Sequence, residues 1–135
     1  MRDNIDRFLA SAAFGVIGVS KNRQKYGNKV LRAYLQKNKT VYPIHPTEKS
    51  IEGLVCLHKV AELPDTVKSL SIITPPPSTE KIVSEAIAKG ITNIWMQPGA
   101  ESEAAIKQCE EHGINVIARG PCILVEFNFR EDDLY

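Results

Sequence analysis

Residues 13–29 concentrate the residue types that can handle phosphate. An apolar run, Phe14-Gly15-Val16-Ile17-Gly18-Val19-Ser20, enters a polar, basic loop and then Tyr26-Gly27-Asn28-Lys29. A strand that ends in small residues and turns into an amphipathic helix leaves backbone N–H groups free at the helix N-terminus, where an anion is stabilised. Gly18 and Gly27 permit close backbone approach, and Lys21, Arg23 and Lys25 put positive charge in the same loop. Gly15, inside the strand, serves either helix packing or ligand approach. The chemistry spelled out is nucleotide-phosphate binding.

Other chemistries find little support. The expected site loops hold no Ser/His/Asp arrangement, no paired carboxylates and no metal-ligand spacing, so no catalytic residue and no metal site is expected. His45 lies in a candidate loop, whereas His58 and His112 fall on helical segments. Cys56, Cys109 and Cys122 are far apart with no C-x-x-C pair, which argues for reduced thiols in a cytoplasmic protein rather than zinc or disulfides. With 17 Lys+Arg against 16 Asp+Glu and a net charge of +1, no long-range attraction to nucleic acid or an acidic membrane is expected. Apolar runs are too short to span a bilayer, and Met1-Arg2-Asp3-Asn4 does not read as a signal peptide. At 135 residues the chain is expected to be one domain, 1–135, with a core large enough to need no staples.

The elements that position the loop follow from periodicity. Residues 5–12 read as a leading helix and 13–19 as a buried strand. Residues 26–37 place Val30, Leu31, Tyr34 and Leu35 on one helical face, with Asn38 as the stop. Residues 40–44 are the second strand, its end bracketed by Pro43 and Pro46, since proline cannot donate to a sheet ladder. Residues 57–63 form a helical turn, and 70–74 the third strand, ended by Pro75, Pro76 and Pro77. Ser78 is the expected cap of a helix running to Lys89 and closing at Gly90. Residues 93–97 are the fourth strand, 102–112 a helix closed by Gly113, and 115–118 the fifth strand.

Strands joined by helices run parallel, cross over right-handed and are buried on both faces. The expected fold is α/β: a Rossmann-like, doubly wound, mainly parallel sheet of five strands in order 3-2-1-4-5, in three αβα layers. Ligands then bind beyond the carboxyl ends of the strands at the switch point, here between the first and fourth. That rule selects the loops 20–28, 45–49, 74–78 and 98–102.

A dinucleotide fingerprint would read G-x-G-x-x-G with an acidic residue about 20 positions later for the ribose. Gly15, Gly18 and Gly27 are spaced differently, and the second strand ends Pro43-Ile44-His45-Pro46 with no carboxylate before Glu48. NAD is therefore disfavoured. A cofactor with an additional phosphate could use Lys21, Arg23, Lys25, His45 or Lys49, which leaves NADP and coenzyme A.

Five motifs in order now carry a resemblance. Gly18-Val19-Ser20-Lys21-Asn22, Tyr26-Gly27-Asn28-Lys29-Val30, Val41-Tyr42-Pro43-Ile44-His45-Pro46, Ile94-Trp95-Met96-Gln97-Pro98-Gly99 and Gly120-Pro121-Cys122 resemble the small CoA-binding domain family. That family is similar to the N-terminal domain of the succinyl-CoA synthetase alpha subunit and of ADP-forming acyl-CoA synthetases. The resemblance implies coenzyme A as the cofactor. Gly18, Val19, Ser20, Asn22, Arg23 and Lys25, with Tyr26 and Gly27 at the helix start, would contact its phosphates. Pro43, His45 and Pro46 would flank the adenosine, and Thr74, Pro75 and Pro76 would line the pantetheine path. Gln97, Pro98 and Cys122 complete the implied contact set. Cys122, which follows Pro121 where many relatives have Cys before Pro, is expected near the CoA thiol, where oxidation would give a mixed disulfide.

The phosphorylated histidine and nucleotide-grasp machinery of the synthetases have no counterpart in these residues. The implied function is a module that binds CoA or an acyl-CoA without ligase activity. Two alternatives stay open: an NADP-dependent reductase, which needs a hydride-acceptor pocket and a proton donor, and a nucleotide-sensing interaction module. A homodimer or an unidentified partner protein is compatible with either.

Overall fold

The computed structural model describes residues 2–132. Helix α1 (Arg2–Leu9) buries Ile5 and Phe8 and leads into β1 (Ala13–Ile17), which is flanked on both sides. Helix α2 (Tyr26–Gln36) follows, then β2 (Thr40–Ile44). A small antiparallel hairpin, β3 (Ser50–Ile51) and β4 (Leu54–Val55), and a 3-10 turn at Val60–Glu62 precede β5 (Ser69–Ile72). The remainder is α3 (Pro76–Lys89), β6 (Asn93–Met96), α4 (Glu103–Glu111), β7 (Asn115–Ile117) and α5 (Ile123–Glu126).

The main sheet runs β2-β1-β5-β6-β7 with every neighbouring pair parallel. The Rossmann-like α/β class is as expected, but the strand order is not. In succession the five long strands lie 2-1-3-4-5 rather than 3-2-1-4-5. Gly15 supplies the reason. A β-carbon there would meet Leu63 Cδ1 and Leu70 Cδ1 at 3.1 Å, so the bare backbone makes room for the crossover from β2 to pass over β1 and land on its far side. That crossover uses the face opposite α2, as a right-handed connection requires.

Two cores result, one per face. Phe8, Phe14, Tyr34, Trp95 and Phe127 pack with α1, α2 and α5; Leu63, Leu70, Val83, Ile94, Met96 and Ile106 pack with α3, α4 and the 3-10 turn. Phe8 meets Trp95 edge-on at 5.3 Å and Tyr34 meets Phe127 edge-on at 5.2 Å, geometry that adds about 0.5–1.5 kcal/mol per pair beyond burial. Ser71 keeps the layer thin beneath α2 by accepting or donating to the buried Tyr34 hydroxyl (2.6 Å). On the outermost strand β7, Asn4 of α1 donates to the Val116 carbonyl, and Asn115 donates back to the Asn4 carbonyl (2.9 Å).

Local signals mostly act where expected. Asn38 and Gly90 take positive φ at the ends of α2 and α3, whereas Ser102, expected as the first residue of its helix, instead caps α4 by accepting from the Ala105 N–H. Ser78 does not cap α3: the helix starts two residues earlier, with Pro75 as N-cap and Pro76 in its first turn, because proline's fixed φ suits that position and its missing N–H costs nothing there. The turn in 57–63 shrinks to Val60–Glu62, since Leu57 is taken by a bridge to Ile44.

The strand order relocates the switch point. Helix α2 leaves β1 toward one face and α3 leaves β5 toward the other, so the crevice opens between β1 and β5 rather than between the first and fourth strands. Its floor is closed by the Ile73 N–H donating to the Ile17 carbonyl (2.8 Å).

Candidate functional site

Three clefts meet at Ile73 along the carboxyl ends of the strands. The first, about 430 Å³, is walled by Gly18, Val19, Ser20, Lys25, Tyr26, Gly27 and His45. The second, about 370 Å³, adds Ile44, Pro46, Thr74, Pro75 and Ile82. The third, about 330 Å³, lies among Tyr26, Thr74, Pro75, Pro98, Gly99 and Ala100. Residues from four separate loops are thus brought together.

The backbone around the first cleft is compressed. Gly18 sits at φ +99°, and a β-carbon there would stand 2.2 Å from the Ile73 carbonyl oxygen. Gly27 presses α2 onto the Gly18 carbonyl in the same way. Both glycines are required by packing of backbone on backbone before any ligand is considered. The consequence is that α2 starts hard against the end of β1. Its N-cap, Lys25, makes no side-chain cap, so the positive end of an 11-residue helix opens into the cleft.

Loop 20–25 is held from beneath. Ser20 Oγ accepts from the Asn22 N–H and Asn22 Oδ1 from the Gln24 N–H, so both side chains shape the turn. Arg23 pairs with Glu52 Oε1 at 2.6 Å, and Lys21 with Glu48 at 3.2 Å. Asn28 donates to the Ser20 carbonyl (2.8 Å) and to Glu52 Oε2 (3.1 Å). Arg32, buried on α2, donates to Asn28 Oδ1, the Arg23 carbonyl and Glu131, and lies over the Phe129 ring. The Arg32 guanidinium holds the Glu131 carboxyl below its ordinary range. Of the three loop cations, Lys25 alone forms part of a cleft wall; Lys21 and Arg23 are committed to carboxylates.

His45 is oriented by backbone. Its Nδ1 accepts from the Thr47 and Glu48 N–H groups (3.1 and 3.0 Å), which leaves the ring proton on Nε2 as a donor. Pro46 walls the second cleft, whereas Pro43 sits within β2 with its carbonyl accepting from Leu57. Thr74 exchanges a hydrogen bond with buried Thr79 (2.8 Å), and Pro76 is absorbed into α3.

Behind Tyr26 lies a polar cluster. The Tyr26 hydroxyl touches Cys122 Sγ (2.6 Å) and donates to Gln97 Oε1 (3.3 Å), which also accepts from the Ile123 N–H (3.0 Å). Burial first, and the Cys122 contact second, push the Tyr26 phenol well above its ordinary value. Gln97 is fully buried and its Nε2 has no partner. Cys56 and Cys109 are buried elsewhere; burial pushes the Cys109 thiol up to about 12.

An α2 start pressed onto β1, an uncapped helix end and linked clefts at the β1/β5 crevice are the geometry of a nucleotide-type ligand site. The family profile of the CoA binding domain matches residues 12–128. The chain belongs to the CoA binding domain family. A solved structure of a conserved hypothetical protein from Pyrococcus furiosus is 38% identical, with a TM-score of 0.80 over 84% of this chain and 97% of that one. The ADP-forming acetate–CoA ligase I of Archaeoglobus fulgidus is 26% identical over 103 residues, covering 76% of this chain and 15% of that protein. A dinucleotide-forming acetyl-coenzyme A synthetase 1 of Ca. Korarchaeum cryptofilum is 25% identical, with a TM-score of 0.74 over 84% of this chain and 27% of that one. The chain thus spans about one seventh of the length of the ligase it matches.

Within this CoA-binding domain, Gly18, Val19, Ser20, Lys25, Tyr26, Gly27, His45, Pro46, Thr74, Pro75 and Pro98 line the clefts. Asn22, Arg23, Pro43, Pro76, Gln97 and Cys122 line none of the three. Two contributors escape a reading by residue type. Ile73, common to all three clefts, looks like the tail of an apolar strand. Glu52, which anchors Arg23 and Asn28, sits at φ +51° in the Glu52-Gly53 turn of the hairpin; that dipeptide between Ile51 and Leu54 was the available signal. Among the described residues no helix is long and apolar enough to cross a membrane, and no grouping of three His, Cys, Asp or Glu could hold a metal.

Proposed function

We propose that this CoA-binding domain holds coenzyme A or an acyl-CoA across the three clefts, as a single cytoplasmic binding module without acyl-CoA ligase activity of its own. The observation that carries the reading is the continuity of the clefts through Ile73, from the open N-terminus of α2 to the Tyr26–Cys122 contact. Phosphates suit the first cleft, with the uncapped helix end, Lys25 and the His45 Nε2–H as donors. The adenine suits the mostly apolar second cleft beside Ile44 and Pro46, and the pantetheine arm runs past Thr74 and Pro75 into the third.

Calorimetry with CoA, dephospho-CoA, NADP and NAD tests this directly. CoA is expected to bind tightest and NAD weakest, with loss of the 3′-phosphate costing about tenfold. NADP binding in preference to CoA would instead favour a reductase. Equal affinity for CoA and dephospho-CoA would remove the cations from the 3′-phosphate.

A further inference from the structure

The segment 129–131 lies across α2. Lys29, Arg32 and Gln36 fall on one face of that helix, and each holds the segment. Lys29 Nζ stands 3.6 Å from Glu131 Oε2, and Arg32 donates to Glu131 Oε1 (2.8 Å) while its guanidinium lies over the Phe129 ring. Gln36 donates to the Arg130 carbonyl (2.7 Å) and accepts from the Arg130 N–H. The segment is a strap on the helix that begins at the first cleft.

Arg32 carries the grip of the strap to the phosphate loop. One terminal nitrogen, Nη2, donates both to Glu131 and to the Arg23 carbonyl (2.8 Å each), and Nε donates to Asn28 Oδ1 (2.7 Å). With its oxygen taken, the buried Asn28 amide turns Nδ2 to the Ser20 carbonyl and to Glu52 Oε2. Both ends of the stretch 20–23 therefore hang on one guanidinium, which is 1% exposed. Among the described residues Glu131 is the carboxylate paired with it, and a buried cation stripped of its anion does not keep its other bonds in place without cost.

We propose that Glu131 is a positioning residue for the ligand clefts: it fixes the loop 20–23 through Arg32, so that docking of the strap on α2 and occupancy of the first cleft reinforce one another. This rests on the CoA reading above. Glu131 lines none of the clefts, so its effect on a ligand passes through Arg32. Coupling of this kind is reciprocal. Whatever draws the strap off α2 loosens the ligand by the same factor with which the ligand tightens the strap.

The test is Glu131→Gln, which keeps the shape of the side chain and removes its charge, with a thermal melt to report folding. Calorimetry should show CoA bound about fivefold more weakly, whereas loss of a negative charge near an anionic ligand would by itself tighten binding. In the ligand-free protein, hydrogen exchange at the Asn22, Gln24 and Lys25 amides, which are bonded within the loop, should quicken by a similar factor. Saturating CoA should in turn slow exchange at Phe129 and Arg130, whose amides donate to the Leu124 carbonyl and to Gln36 Oε1. Asp65→Asn, which removes the ion partner of Lys89 away from the clefts, should change none of these. Unchanged or tighter CoA binding by Glu131→Gln, loop exchange at the wild-type rate, or an equal effect of Asp65→Asn overturns the proposal. So does CoA binding that leaves the exchange of the strap untouched. Absence of CoA binding by the wild type overturns the function on which the proposal rests, and the loop exchange rates of the ligand-free protein still decide the link from Glu131 to the loop.

Discussion

Gly27 rests on the carbonyl oxygen of Gly18: a β-carbon at Gly27 would stand 2.1 Å from that oxygen. The start of α2 and the end of β1 are therefore a single packed unit. Gly27→Ala is expected to cost about 1–3 kcal/mol through overpacking. Gly18→Val should cost more, since it adds a branched side chain at positive φ and against the Ile73 carbonyl. Thermal melts read both, and an unchanged melt for either would separate the two segments. Loss of ligand by Gly18→Val then reports a disturbed fold as much as a blocked site.

Lys25 and Arg23 are expected to part company. Lys25→Ala should weaken CoA about tenfold, the scale of one charge-assisted hydrogen bond, with the melt unmoved. Arg23→Ala removes the ion partner of Glu52, whose side chain is only 8% exposed. It should lower the melt and weaken CoA less directly, by freeing a carboxylate beneath the loop. Calorimetry at two salt concentrations checks this, because the Lys25 contribution should shrink as salt rises.

Arg32 is the keystone of the loop's support. Its guanidinium serves Asn28, the Arg23 carbonyl and Glu131 together. Arg32→Ala should cost roughly 2–4 kcal/mol, with Asn28 and the Arg23 carbonyl losing their partner. Arg32→Lys should recover little of it, because an ammonium cannot reproduce the planar fork. Urea denaturation of the two variants decides the point.

Stability should fall on the alkaline side. In the unfolded chain the Cys109 thiol ionises near its ordinary 9.0, and in the fold only near about 12. Below pH 9.0 both states keep the proton and its contribution is whole. Above that the unfolded state releases its proton first, so stability declines as pH climbs toward about 12. Tyr26, Tyr34 and Cys56, all raised by burial, act in the same sense. Melting temperatures measured in steps from neutral pH upward should stay level and then drop; a level curve throughout would contradict the burial of these groups.

The sequence made most of the scaffold readable because its signals are local. Alternating apolar runs place the five long strands within two residues of their ends, and Gly90, Ser102 and Asn38 act on their own helices. Strand order is different in kind. It depends on Leu63 crossing the bare backbone of Gly15, a contact between residues far apart in the chain. The strand-end rule still selected the cleft loops, since any order of parallel strands leaves their carboxyl ends on one side. The pairing of Arg23 with Glu52 and of Tyr26 with Cys122 joins distant segments through side chains. The two-residue strands of the hairpin are too short to show a period.

The lacing of α1 to β7 has a consequence of its own. The Asn115 N–H donates to the Thr92 carbonyl just before β6, so the carbonyl of the next residue, Val116, faces away from the sheet, where a strand from another molecule could add on. The Asn4 amide occupies that carbonyl, and Asn115 returns the bond. Helix α1 is thus a guard against edge-to-edge growth, and a chain shortened by its first nine residues, which end at Leu9, would expose a template for self-association even if its clefts were untouched.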